Sequence, residues 1–330
     1  MKKGIVFLLI LFPVLMAIIS IFAGRYSVPI LDVIHALFPF TGETTDANVA
    51  IIVNVRLSRI IAAAFIGAAL SVSGAAFQGV FHNPLVSPGL LGVSAGAGFG
   101  AALAILLFSS TWATYPFAFV FGLVAVLLSY WVARIYKTVP TIMLVLGGTI
   151  VSAIFNALIS LLKYMADTDS QLPSIVYWLM GSLSDINFKD FWALIPMSIG
   201  IVVILFMSWN INVLSMGDTE AKSLGVNVKN SKILIIGGAS LATAGAVCLC
   251  GIVGWVGLVI PHIGRLLAGN DNRRLMPVVI SIGAGFMILI DTISRILIAS
   301  EIPLGILTAL VGAPFFIYLL KLTKGGGWKE

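Results

Sequence analysis

The feature that most constrains this chain is the length of its apolar runs. Eight segments (5–24, 57–79, 90–108, 115–136, 141–163, 190–210, 232–250 and 275–298) are apolar around nearly their whole circumference. A span needs about 20 apolar residues to cross about 30 Å of hydrocarbon, and a helix apolar on every side has no face to offer water. Two shorter stretches, 252–268 and 306–321, can also cross where neighbours cover them. The sequence therefore predicts an all-α fold, a polytopic membrane protein with about ten transmembrane helices. Composition agrees: of 330 residues, 60% are hydrophobic and only 10% charged, against about 25% charged in a soluble domain. Nineteen basic and 13 acidic residues cannot wet a globule of this size. A soluble enzyme, a nucleic-acid-binding domain and a disordered chain are all poor readings.

An even number of spans puts both termini on one side. With the N-terminus in the cytoplasm, 13 Lys and Arg fall inside and six fall outside, namely Arg25, Arg56, Arg59, Lys163, Lys189 and Arg295. The positive-inside rule thus favours N-in and C-in. Segment 5–24 follows Lys2 and Lys3 as a signal peptide would. Its apolar run is longer than a typical h-region and lacks a clear A-x-A site, so a retained first span is expected. Loops 25–56 and 164–189 lie outside, the second containing an amphipathic stretch, PSIVYWLMGSL, expected to form a short interfacial helix. Inside, the polar loop 211–231 carries its own helix signal: Asp218 is expected as the cap and Gly225 at C′. No linker or low-complexity tract interrupts 1–330, which reads as one integral membrane unit.

Thirty-three glycines suit close helix–helix contact in lipid. Gly92, Gly96 and Gly100 lie four apart on one helix face, a packing stripe with the wrong spacing for a dinucleotide fingerprint. The stretches GAALSVSGAA (67–76) and GASLATAGAV (238–247) echo each other and run in opposite directions, as in an inverted repeat. Asn83-Pro84, Pro88, Pro261 and Pro303 signal irregular backbone, which persists at membrane depth only inside protein or along a cavity. Such breaks point to a translocation path.

Chemistry of the chain's own is not expected. There is no G-x-x-x-x-G-K-[ST] loop, no H-E-x-x-H pair and no plausible Ser/His/Asp set, so no catalytic residue, cofactor or metal site is assigned. Cys248 and Cys250 read as small buried residues, and His82 and His262 as helix-end histidines near the inner face. Asp291 is the one acid deep in a span, and Arg295, four residues on, can neutralise it. With so few embedded ionisable groups the chain lacks the obvious proton or sodium relay of a secondary carrier, and its energy is expected from a partner docking on loop 211–231.

Several long motifs then carry a resemblance. RLSR (56–59), GAALSVSGAAFQGVFHNPLVSPGLLGVSAGA (67–97), GDTEAKSLGV (217–226), GIVGWVGLVIPHIGRLLAGND (251–271) and EIPLGILTALVGAPFF (301–316) resemble the iron-siderophore and cobalamin uptake family of ABC-transporter permeases, in order and almost end to end. The resemblance implies the type II importer permease fold, a permease homodimer, two cytoplasmic ATPase subunits that bind ATP-Mg, and an extracytoplasmic substrate-binding protein. It implies a bacterial or archaeal cytoplasmic membrane and no nucleic-acid partner. Carried over by residue, Arg56, Arg59 and Arg295 match the outer rim that docks the binding protein. Asp218, Glu220, Ala221, Leu224 and Gly225 match the coupling helix that rests on the ATPase. Asn83, Pro84 and Leu85 match a region near the inner gate. Segment 137–141 departs from the family's Ser/Thr-rich version by having Pro140. The expected substrate is a metal chelate, ferric siderophore first, with haem, cobalamin or molybdate as alternatives. The competing class is an ion-coupled secondary transporter.

Overall fold

A computed structural model describes residues 3–108, 111–134 and 141–322. Its helices are α1 (Lys3–Phe22), α2 (Ile30–Leu37), α3 (Asp46–Val49), α4 (Ser58–Val80), α5 (Val93–Phe108), α6 (Thr111–Ala133), α7 (Thr141–Met165), α8 (Gln171–Met180), α9 (Leu194–Phe206), α10 (Ser208–Leu214), α11 (Asp218–Ser223), α12 (Val228–Cys250), α13 (Val256–Ala268), α14 (Asn272–Leu297) and α15 (Leu304–Leu322). Among the described residues, six helical stretches are long and apolar enough to cross a membrane. Four shorter apolar helices occupy the remaining expected segments.

Loop 25–56 is more structured than the sequence reading had it. α2, α3 and a π-helical stretch, Ala50–Leu57, fill much of it, and 46–80 runs as one helix of 35 residues. Thr45 caps its start, its hydroxyl accepting from the Asn48 N–H at 3.3 Å. Arg56 and Arg59 therefore project from a continuous rod, three residues apart on one face.

α4 and α12 form the centre. Their apolar windows are 83% and 78% buried, against 22–33% for Trp112–Ala133, Ile142–Met165 and Phe188–Phe206, which face outward. On α7, Ile142, Leu146, Ile150 and Ile154 make an exposed stripe at four-residue spacing, the surface an acyl chain would cover. The two echoing segments meet at the centre, where the Ser73 hydroxyl donates to the Ala239 carbonyl at 3.0 Å.

Glycine lets these backbones touch. A methyl on Gly67 would fall onto the Gly283 carbonyl of α14, one on Gly74 onto the Gly257 carbonyl of α13, and one on Gly100 onto the Phe117 carbonyl of α6. α4 and α14 run antiparallel, with Arg59 opposite Asp291, Gly67 opposite Gly283 and Gly79 beside Asn272. The ends of α1 and α15 that carry the chain termini lie at the same end of the bundle as α11.

One expected break is moved. Pro261 sits inside α13, and the interruption is 251–255, just before that helix. Proline frees the carbonyl four residues back. Here that is Gly257 O, which the Gln78 amide approaches at 3.5 Å, so the helix continues. Gly251 (φ +70°) and Trp255 (φ +66°) make the actual turn.

The packing yields a paired prediction. Gly67→Ala should destabilise the protein by about 1–3 kcal/mol through overpacking. Gly237→Ala, where nothing lies within 4 Å of the added methyl, should leave it unchanged. Thermal unfolding of the detergent-solubilised variants reads both.

Candidate functional site

The sequence-identified residues gather at the two ends of the bundle. At one end the three arginines converge on two carboxylates. Asp291 (1% exposed) receives Arg59 Nη2 at 2.8 Å on Oδ1 and Arg295 Nε at 3.0 Å on Oδ2. The expected i,i+4 pair with Arg295 is present, and a second arginine from another helix shares it. Arg59 continues as a fork to Glu301, Nη1 to Oε1 and Nη2 to Oε2, each at 2.9 Å. Arg56 carries no carboxylate: its Nη1 donates to the Ile21 carbonyl at 2.8 Å and its Nη2 to the Tyr26 carbonyl at 2.5 Å.

In the chain alone Arg56, Arg59 and Arg295 are 2%, 2% and 6% exposed and bonded within the protein. The reason is stoichiometric: a charge this deep is stable only when paired and hydrogen-bonded, and Asp291, Glu301 and carbonyls of 21–26 supply the partners. The missed residue is Glu301. Its distance in sequence from Arg59 hid the pair, although its place beside Pro303 in a break was visible.

At the opposite end stands α11. Gly217 (φ +125°) is its N-cap, and Asp218 is the first helical residue, not the cap as the sequence suggested. A carboxylate in the first turn still suits the helix dipole, and Asp218 Oδ2 accepts from Lys232 Nζ at 2.7 Å, fastening α11 to α12. The C-terminal reading is matched: Gly225 (φ +78°) donates to the Lys222 carbonyl at 3.0 Å and Val226 to the Ala221 carbonyl at 3.0 Å, the Schellman arrangement. Ala221 is buried, while Glu220 and Leu224 stand exposed. The helix thus seats one methyl on the bundle and offers a mixed polar and apolar surface outward.

Two ties hold α10, which leads into α11, against the membrane part. Asn212 of α10 donates to Asp271 Oδ1 at 2.6 Å and accepts from the Asn272 backbone at 2.7 Å, joining α10 to the start of α14. The Asn212 amide and the Arg273 N–H hold the exposed Asp271 carboxyl below the usual carboxylate range. Its contribution is therefore complete above that range and fades as acid protonates it. The second tie is His82 Nε2, 2.6 Å from the Leu214 carbonyl just before α11. His82 leads into Asn83-Pro84-Leu85, where Asn83 Oδ1 accepts from the Leu85 N–H at 2.9 Å and Leu85 is exposed. The gate candidates and coupling candidates are thus neighbours, linked by a histidine the sequence left as a helix end. Segment 137–140 lies outside the described residues.

Three non-glycine residues among those described have left-handed backbone: His82 (φ +50°), Trp255 (φ +66°) and Glu301 (φ +53°). Each sits in one of the breaks between apolar helices. Such a conformation costs about 1–2 kcal/mol without glycine, and each of these side chains makes a tertiary contact that holds it. His82 meets Leu214, Trp255 stacks edge-on against Phe316 at 6.4 Å, and Glu301 grips Arg59.

Alongside α8, between the end of α5, the start of α6 and the end of α12, lies a cavity of about 290 Å³. Tyr115, Ser174, Tyr177, Ser182, Ser184 and Asp185 line it, and among the described residues no lysine or arginine does.

Asp291→Ala should cost about 3–5 kcal/mol, because it strips a shared counter-ion from two buried arginines. Arg25→Ala, which removes one exposed bond to the Ala299 carbonyl, should cost about 1 kcal/mol or less. Chemical denaturation of the two variants side by side checks the contrast.

Comparison with known proteins identifies the assembly to which this geometry belongs. The model of the FecCD transport family matches residues 9–321. The chain is 39% identical to the molybdate import system permease protein MolB of Haemophilus influenzae, covering 99% of this chain and 98% of that one. It is 38% identical to the cobalamin import system permease protein BtuC of Halobacterium salinarum, over 92% of this chain and 82% of the relative. Its fold superposes on a metal-chelate-type ABC transporter solved in an inward-facing conformation with a TM-score of 0.87 and 38% identity, covering 97% of this chain and 99% of that one. Permeases of ABC importers work with ATPase and binding-protein partners, and the chain, an all-helical multi-pass membrane protein, belongs to the FecCD transport family of ABC importer permeases.

Proposed function

We propose that this chain forms the transmembrane path of a binding-protein-dependent importer in a bacterial or archaeal cytoplasmic membrane, as a homodimer driven by two separate ATPase subunits. The single observation that supports the drive best is the pair α10–α11: α11 is exposed toward one side, and α10, which leads directly into it, is bonded through Leu214 to His82 at the break 82–86 and through Asn212 to the start of α14. A pull on α11 would reach both at once. Closure of an ATPase dimer would move α11 as a rigid body and change which end of the central path is open, the ordinary logic of alternating access. On this reading Asp218, Glu220, Ala221, Leu224 and Gly225 meet the ATPase, and Asn83, Pro84 and Leu85 lie at the inner gate. The binding protein docks over the end that holds Arg56, Arg59 and Arg295. The chain hydrolyses no ATP itself and needs no cofactor.

For cargo, we favour a metal chelate, ferric siderophore first. The cavity beside α8 agrees: hydroxyls and one carboxylate, with no basic residue, suit a neutral or cationic hydrogen-bonding group better than a bare oxyanion. A second reading, molybdate, draws on the near full-length match to the Haemophilus influenzae permease named for it. Haem and cobalamin remain within the family's range.

Vesicles holding the permease, its ATPase and its binding protein should take up ferric siderophore only with ATP. Uptake that persists without ATP and collapses with an ionophore would establish a secondary carrier instead, and competition by excess molybdate would select the second cargo. In the same vesicles His82→Ala should retain ATP hydrolysis yet lose about tenfold in uptake, since it cuts the tie between the gate and the end of α10, which leads into α11, and leaves the ATPase contact alone. Charge reversal at Arg56 or Arg59 should weaken docking of the binding protein, and unchanged affinity in a folded variant would remove that residue from the rim.

A further inference from the structure

We infer that Glu301 is an internal stand-in for a partner's carboxylate, a clasp that occupies the Arg59 fork until an acidic group on the docking protein displaces it. The inference rests on the docking reading above and goes a step beyond it.

Arg59 has two carboxylate partners of different kinds. Asp291 is 1% exposed in its side chain and lies on α14, so it cannot leave. Glu301 is 28% exposed and sits on the six-residue connection 298–303 between α14 and α15. Its bidentate contact, 2.9 Å at both oxygens, is the geometry a guanidinium offers to any carboxylate. Of the two carboxylates only Glu301 is reached by water and carried on a connection rather than a helix, so it is the one that can be exchanged, whereas Asp291 stays as the anchor. Glu301 reaches the fork only from left-handed backbone, φ +53°, so its departure also relieves that conformation.

Charge favours the exchange. The cluster holds Arg56, Arg59 and Arg295 against Asp291 and Glu301. With Glu301 withdrawn, three cations face one anion near the outer surface, a field that draws in an acidic protein face.

The connection is also wired to the cavity. Ser294 Oγ donates to the Ile302 carbonyl at 2.6 Å and Arg25 to the Ala299 carbonyl at 2.7 Å, which confines the loop at both sides of Glu301. Two residues beyond, the Leu304 N–H donates to the Gly181 carbonyl at 2.8 Å. Gly181 ends α8, whose side chains Ser174 and Tyr177 line the cavity. Gly305, next in line, is packed so closely that a methyl there would meet the Met180 carbonyl at 2.5 Å. A shift of 298–303 therefore moves the start of α15 against the end of α8. Exchange of one carboxylate for another would report docking to the cavity wall.

The test uses Glu301→Gln, which keeps the side-chain shape and removes the charge, with Glu301→Asp as a charged control and Arg59→Gln as the loss-of-fork control. Two readouts are taken on the full chain in lipid nanodiscs: hydrogen exchange, and affinity for whichever extracytoplasmic binding protein supports uptake in the vesicles. Glu301→Gln should raise exchange at the amides of 299–304 and 181–184 about fivefold or more. It should also tighten docking about fivefold, the ratio that corresponds to losing a weak internal competitor. Arg59→Gln should weaken docking. Unchanged exchange and unchanged affinity in Glu301→Gln, with docking to the unaltered chain intact and Arg59→Gln impaired, would overturn the clasp alone. Failure of any binding protein to dock, or docking indifferent to Arg59, would overturn the docking reading and the clasp with it.

Discussion

The structure depends on the close approach of α4 to α14 at Gly67 and Gly283. With no side chain on either, the two backbones meet directly, and neither helix can slide past the other without a clash. That contact sets the register of the whole pair. Eight residues away along each helix it brings Arg59 opposite Asp291, and toward the other end it brings Gly79 beside Asn272. In a low-dielectric interior the register is then locked by charge, because an Arg59 displaced from Asp291 would be a buried cation without its anion. Shape and electrostatics therefore specify the same alignment.

From this axis the molecule divides into two ends with different chemistry. One end is ionic and internal: three arginines, two carboxylates and a ring of carbonyls, with only Glu301 within reach of solvent. The other is polar and external: α11 with its short caps, tied to α12 by Lys232, and α10 before it, held by His82 and Asn212. The breaks joining them are not slack. His82, Trp255 and Glu301 each hold a strained backbone in place with a side-chain contact, so each break is a fixed elbow.

Much of this was legible in the sequence for reasons that are local. All-round apolarity marked the helices, and the ten apolar segments each contain a helix. Gly225 ended α11 where the spacing required, and Cys248 and Cys250 are buried and free. The misreadings share a cause. Pro261 was expected to break a helix, but the carbonyl it frees faces Gln78 from α4, a neighbour no local rule contains. Loop 25–56 hid three short helical pieces because their caps are weak and their apolar faces short. Glu301 and the carbonyls of 21–26 were hidden as partners of Arg59 and Arg56 because they lie far away in sequence.

The sequence by itself determined that the chain lives in a bilayer, which segments are helical, which end carries the basic excess and where the backbone must bend. Those follow from transfer free energy and backbone sterics, which act residue by residue. Only the tertiary structure decided that Asp291 serves two arginines, that Glu301 closes the fork of Arg59, and that His82 joins the break 82–86 to the end of α10. Each is a pairing across 132 residues or more, or between helices whose register a distant glycine contact sets. Hydrogen bonds and ion pairs act only within a few ångströms, so they come into being when packing brings their partners together.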